Sequence, residues 1–160
     1  MTNTRGVLYV HSAPSALRPH LEWAVGGAFG VPVHLDWRPQ PAEPGLQRTE
    51  YSWVGPVGLG AKVTSALRGW DHLRFELTEE PTAVSDGQRW MWTPRLGMFR
   101  GQVGISGDIV VPEERIRWAL AQDDPTATMT ELLGEPWDAE LEVFRWAGEG
   151  APVRWLHRAV

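Results

Sequence analysis

Apolar residues in this chain alternate between a two-residue and a helical repeat, and the switches mark out the elements. Residues 6–10, Gly-Val-Leu-Tyr-Val, are apolar on both faces, which predicts a central strand. After the loop His11-Ser12-Ala13-Pro14-Ser15, a helical stripe follows at Leu17, Leu21, Ala24, Val25, Ala28 and Phe29. Pro19 fits only the first helical turn, where its missing N–H costs nothing, and Gly30 is a natural stop. Residues 31–38 then alternate. Val31, Val33, Leu35 and Trp37 take one face and Pro32, His34, Asp36 and Arg38 the other, as in a half-buried edge strand.

Proline-rich residues 39–45 read as a loop, and 48–54 as a third strand carrying Tyr51 and Trp53. The loop Gly55-Pro56-Val57-Gly58-Leu59-Gly60 opens a second helix with its stripe at Leu59, Val63, Ala66, Leu67 and Trp70, ended near Gly69. Residues 72–78 alternate again, with Leu73, Phe75 and Leu77 inside. This β-α-β-β-α-β order predicts an α+β fold with a ferredoxin-like core over residues 1–80. Right-handed crossovers would place strands one and three side by side and parallel in the centre, with strands two and four at the edges. Two helices on one face leave the other for the second half of the chain to cover.

Residues 81–160 predict a β-meander and C-terminal helices packed on the first half, in one compact domain. Strands are expected at 88–93, 97–105 and 109–111, with a turn at Ser106-Gly107-Asp108. A helix begins at Pro112-Glu113-Glu114. Another starts at Asp124-Pro125 or at the box Thr128-x-x-Glu131 and stops at Gly134. A third runs from Pro136 towards Gly148, and residues 153–156 fit a last strand.

Composition narrows the function. The chain has 160 residues, no cysteine and a net charge of −5. Thiolate metal sites, disulfides and a Cys nucleophile are excluded, and nucleic acid is a poor partner without a basic footprint. No apolar run reaches the ~18 residues of a membrane span, and Met1-Thr2-Asn3-Thr4-Arg5 has no signal-peptide character. A soluble, cytoplasmic protein without membrane attachment is expected. Residues 1–100 carry ten basic and nine acidic side chains, and residues 101–160 carry five and eleven. The acidic last third is a solvated helical surface or a face for a basic partner. There are ten Trp, five of them adjacent to an Arg: Trp37-Arg38, Arg89-Trp90, Arg117-Trp118, Arg145-Trp146 and Arg154-Trp155.

The expected topology brings the 11–15 and 55–60 loops to one sheet edge. Two helix N-termini there, with His11, Ser12, Ser15, Arg18, Gly58, Gly60 and Lys62, make a candidate site for a small anionic or phosphorylated ligand. The strict motifs fail. Gly55-x4-Gly60 is followed by Ala61-Lys62 rather than Lys-Ser/Thr, and Gly58-x-Gly60 lacks the third glycine of a dinucleotide fingerprint. Among the histidines at 11, 20, 34, 72 and 157, only His11 lies at a central strand end, where it is the candidate base of an enzyme. No metal motif or nucleophile elbow occurs, and no cofactor is expected. Trp23, Trp53 and Trp70 are assigned to the core, and Trp90 and Trp92 to the sheet face left open. Trp118 and Trp146 beside arginines are candidate partner-binding residues.

Four segments carry a resemblance: Gly6-Val-Leu-Tyr-Val-His-Ser-Ala-Pro-Ser-Ala-Leu17, Ser65-Ala-Leu-Arg-Gly-Trp-Asp-His-Leu-Arg-Phe75, Thr93-Pro-Arg-Leu-Gly-Met-Phe99 and Gly150-Ala-Pro-Val-Arg-Trp-Leu-His157. On these the chain resembles, almost end to end, an uncharacterised actinobacterial family, domain of unknown function number 3145. The resemblance implies an actinobacterial source, in keeping with fourteen Arg against one Lys. It implies no activity and no site residue. The leading expectation is a non-catalytic binding or regulatory module for a protein partner or a second copy. The alternatives are a binder of a small anion at the paired loops and a small enzyme using those loops.

Overall fold

The computed structural model describes residues 2–145. Among these, β1 (Asn3–Pro14), β2 (Arg38–Pro39), β3 (Leu46–Pro56), β4 (Arg74–Glu79), β5 (Gly87–Thr93), β6 (Gly97–Val103) and β7 (Ile109–Val110) form one sheet. Their order is β2-β3-β1-β4-β5-β6-β7, with every pair antiparallel. The helices are α1 (Arg18–Phe29), α2 (Leu59–Leu67), α3 (Glu113–Leu120), α4 (Pro125–Leu132) and α5 (Glu135–Arg145). The fold is mixed α+β.

The first and third expected strands are central neighbours, but they run antiparallel, with Asn3 opposite Pro56 and Pro14 opposite Leu46. This corrects the expected parallel pair. The fourth expected strand is interior rather than an edge, because β5 pairs along its far side.

Residues 31–37 keep their alternation without joining a ladder. Leu35 is buried while His34 and Asp36 are exposed. Their backbone groups find other partners. The Val31 N–H donates to the Gly26 carbonyl, the Leu35 N–H to Glu22 Oε1, and Thr49 Oγ1 donates to the Asp36 carbonyl. Pro32 has no N–H to offer. Only Arg38–Pro39 pairs with the sheet.

Alternation along the strands divides the molecule into two layers. Leu8, Val10, Trp53, Phe75, Leu77 and Trp90 meet Leu21, Val25, Leu59, Val63 and Leu67 of α1 and α2 in the main core. Gly30 ends α1 in the left-handed conformation (φ 74°), donating to the Gly26 carbonyl. The opposite face has a smaller apolar cluster of Met91, Phe99 and Leu141, with Ile109 and Trp137 packed against it. There α5 lies against β1 and β5, so the second half of the chain does cover this face. Asp124 caps α4 by accepting from the Ala127 N–H at 3.0 Å, with Pro125 in the first turn. Gly134 follows the helix at φ 79°.

Three tryptophan assignments change. Trp90 is buried in the α1/α2 core and Trp92 packs against it, so neither meets the face covered by α5. Trp23 is 82% exposed, because it points away from the Leu21–Ala24–Val25 side of its helix. Trp53 is in the core as expected, and Trp70 is half-buried against it.

Candidate functional site

His11 begins the most unusual feature of the interior. A register shift in β1 between Val10 and Ala13 leaves His11, Ser12 and Ala13 all buried. Nε2 of His11 is hydrogen-bonded to Glu76 Oε2. Glu76 alternates with Phe75 and Leu77, so it projects to the α5 face and is fully buried beneath that helix. From α5, Arg145 donates Nε to Glu76 Oε2 at 2.9 Å and Nη2 to Oε1 at 2.5 Å. Arg89 of β5 donates Nη2 to Oε1 at 3.2 Å. Both arginines also donate to Asp138 Oδ1, at 2.7 and 2.8 Å. Glu142 stands 3.6 Å from Arg145 Nη1.

Opposite charges set the protonation states. Burial by itself pushes the Glu76 carboxyl up, but His11 and the Arg145 guanidinium outweigh it and hold the group at about 2. Burial pushes the His11 imidazole below its ordinary value, and the Arg145 and Arg48 charges add to that against the pull of Glu76. The ring donates its Nε2 proton to the carboxylate, which can only accept. Tyr9 stacks on it with ring centroids 6.0 Å apart, and burial beside Glu50 and Glu76 lifts its phenol to about 12.

The two Glu76 oxygens accept four hydrogen bonds, about the full capacity of a carboxylate. His11 is 1% exposed. Gln40 closes this end, donating Nε2 to the carbonyls of His11 at 2.7 Å and Phe144 at 3.2 Å. A saturated carboxylate and a buried imidazole hold α5 to the sheet.

The other sequence-selected residues are dispersed. Ser12 Oγ accepts from Arg74 Nη1 at 3.2 Å. Ser15 is exposed in a single 3-10 turn, Ser15–Leu17, and Arg18 lies 5.9 Å over the Trp37 ring. Gly58, Gly60 and Lys62 lie at the opposite end of the sheet, since β1 and β3 are antiparallel. This corrects the expected convergence of the two loops. The α2 N-terminus is moreover occupied from within. Buried Glu79 accepts from the Gly58 N–H at 3.0 Å and the Gly60 N–H at 2.8 Å. A Cβ on Gly60 would stand 2.7 Å from the Trp90 ring, so that glycine serves helix-to-strand packing. Lys62 is exposed. Glu79→Ala is expected to lower stability by about 1–2 kcal/mol by orphaning both N–H groups. Urea denaturation measures it, and a loss below ~0.5 kcal/mol would show that water replaces the carboxylate.

An open feature lies at the far edge of the sheet. β6, β7 and the α3–α5 layer enclose a groove of about 520 Å³, lined among others by Phe99, Val110, Arg115, Trp118 and Trp137. Trp118 is 54% exposed, and Val110 and Leu120 nearby in sequence are also exposed. Trp137 is fixed at the groove by donating Nε1 to the Gly97 carbonyl at 3.0 Å. Trp146 lies outside the described residues, as do the 153–156 strand and His157.

Pairing of adjacent Arg and Trp side chains is prevented where the pair lies in a strand. Arg89 faces α5 whereas Trp90 faces α1 and α2, and the Trp90 ring is approached by Arg100 instead, at 6.0 Å. The sequence reading missed Glu76, Arg89, Asp138 and Arg145. The available signal was the spacing of Asp138, Leu141 and Arg145, which share one helical face with an apolar residue between two charges.

Residues 7–158 match the model of the family described as Protein of unknown function (DUF3145). The chain belongs to that family. No curated protein and no solved structure matches it. The family match extends through both sheet halves and all five helices, so the buried cluster and the groove both lie within the family's span. Among the described residues, no group of three or more His, Asp and Glu side chains is arranged to hold a metal ion, and no helix is long and apolar enough to cross a membrane.

Proposed function

We propose that this protein is a non-catalytic binding module that engages a protein partner at the groove beside Trp118. The observation that carries the reading is the half-exposed indole in the groove wall, with Arg115 lining the same groove. Trp and Arg are the side chains that most often dominate binding energy at protein interfaces. The interior cluster supports the same reading from the other side, because its acid and base groups are consumed by one another.

The chemistry of the surroundings favours a basic partner segment. Glu113, Glu114, Asp123, Asp124, Glu131 and Glu135 are exposed on or beside α3–α5, and Glu131 reaches the groove itself. Such a surface speeds encounter with a positive partner and screens out acidic ones.

The test is co-purification from the native host under gentle conditions, read by native mass spectrometry, for wild type and Trp118→Ala. The expected outcome is a protein complex in wild type that is weakened about tenfold or more in the variant, with an unchanged melting temperature. An unfolded variant would reassign Trp118 to the core. A complex that survives the substitution would remove the groove from the reading.

A further inference from the structure

The segment Val153-Arg154-Trp155-Leu156, which fits a last strand, needs a neighbour, because a strand satisfies its backbone groups only in a ladder. It belongs to residues 146–160, which follow α5 and lie outside the described residues. From 150 to 160 the chain carries Arg154 and Arg158 and no acidic side chain.

The groove beside Trp118 runs along an open sheet edge. β7 pairs with β6 only at Gln102 and Val103. The Gly104 N–H donates to the Asp108 carbonyl on that side. Strand alternation therefore turns the backbone N–H and C=O groups of Arg100 and Met98 to the same side. Among the described residues no strand pairs with them there, and both residues line the groove.

Reach and charge favour the chain's own segment as the occupant. Trp137 lies at the groove and Arg145, the last described residue, lies about 12 Å further along α5. Residues 146–152 span up to about 23 Å when extended, enough to double back. Glu131 lines the groove, and Glu113, Glu114 and Glu135 are exposed at the starts of α3 and α5. A segment with two arginines and no acid complements that rim. β3 beyond its short pairing with β2 also has an open edge, but its single acid, Glu50, stands two residues from Arg48.

We propose that residues 153–158 add to β6 as a further strand at Met98–Arg100 and fill the groove, so that a partner binds by displacing them. The displacement rests on the reading of this groove as the partner site; the strand addition does not. A tethered segment competes at an effective concentration of about millimolar, which shuts out weak basic competitors.

Amide hydrogen exchange of the full chain, followed by NMR, tests the strand addition. The Met98 and Arg100 amides are expected to exchange about fivefold or more slowly in wild type than in Arg154→Gln/Arg158→Gln, which removes both charges from the segment. The Leu77 amide, deep in the sheet, should exchange equally in the two chains and marks the difference as local. Equal rates at Met98 and Arg100, whether fast or slow, would overturn the proposal. The same two chains are then compared by co-purification from the native host. The double variant is expected to hold the partner about fivefold more tightly, and unchanged affinity would overturn the displacement. Equal exchange rates beside a Trp118-dependent complex would remove this inference and leave the partner reading standing. Slowed amides with no complex in either chain would remove the partner reading and leave the added strand.

Discussion

Glu76→Ala is expected to cost about 3–5 kcal/mol of folding stability, the largest effect of any single substitution considered for this protein. The carboxylate receives His11, Arg89 and Arg145 together, in a place from which water is excluded. Removing it leaves Asp138 and the more distant Glu142 to balance two guanidinium groups, and the His11 N–H loses its Glu76 acceptor. An uncompensated buried charge is far more expensive than the net gain from the intact pair. Domains of this size are stable by only about 5–15 kcal/mol, so the variant approaches the unfolding threshold. Urea denaturation followed by circular dichroism gives the number. Glu76→Gln separates electrostatics from packing, because it keeps the shape while losing the negative charge and turning one acceptor oxygen into an NH2 donor. A cost below ~1 kcal/mol for the Gln variant would mean that the cluster is held by packing alone.

Acidification is expected to destabilise the fold in two stages. The His11 imidazole titrates below its ordinary 6.5 when buried, because burial disfavours its charged form. The unfolded chain therefore takes up a proton that the folded chain refuses, and stability begins to fall as the pH drops below 6.5. The Glu76 carboxyl is held at about 2 in the fold against an ordinary 4.5. Its contribution is complete above 4.5 and disappears as the pH falls from 4.5 towards 2, a change of about 3 kcal/mol. Urea midpoints measured from about pH 8 to about pH 3 should decline throughout, steepening at the acid end. His11→Gln keeps a donor for Glu76 and removes the titrating ring. It should flatten the first stage and leave the second. Stability that rises between about pH 7 and pH 5 would instead place an imidazolium in the folded cluster.

Local periodicity carries information about a residue's own element but not about what lies across from it. The residue pattern placed α1, α2 and the strands at 6–10, 48–54, 72–78, 88–93 and 97–105 close to where they stand, and it identified the Gly30 and Gly134 stops. It went astray where a remote partner decides the outcome. Residues 31–37 alternate like a strand, yet Glu22 and Gly26 of α1 and Thr49 of β3 take their backbone bonds. Trp90 and Trp92 were assigned to one sheet face correctly as a pair, and to the wrong layer. Trp23 was assigned to the apolar stripe of its helix, although its position turns it outward.

The sequence by itself determined the α+β class, the order of most elements, the family, and the covering by the second half of the sheet face left bare by α1 and α2. Those follow from repeat length, turn residues and apolar spacing within each element, all of which are local. Tertiary structure alone decided the direction of β3 against β1, and with it the separation of the 11–15 and 55–60 loops to opposite ends. It also decided that Glu79 fills the α2 N-terminus and that Glu76 gathers His11, Arg89 and Arg145. Glu76 and Arg145 are 69 residues apart. A charged residue in an alternating strand reads as solvent-facing until another element covers it. That covering depends on long-range packing, which no short window of sequence encodes.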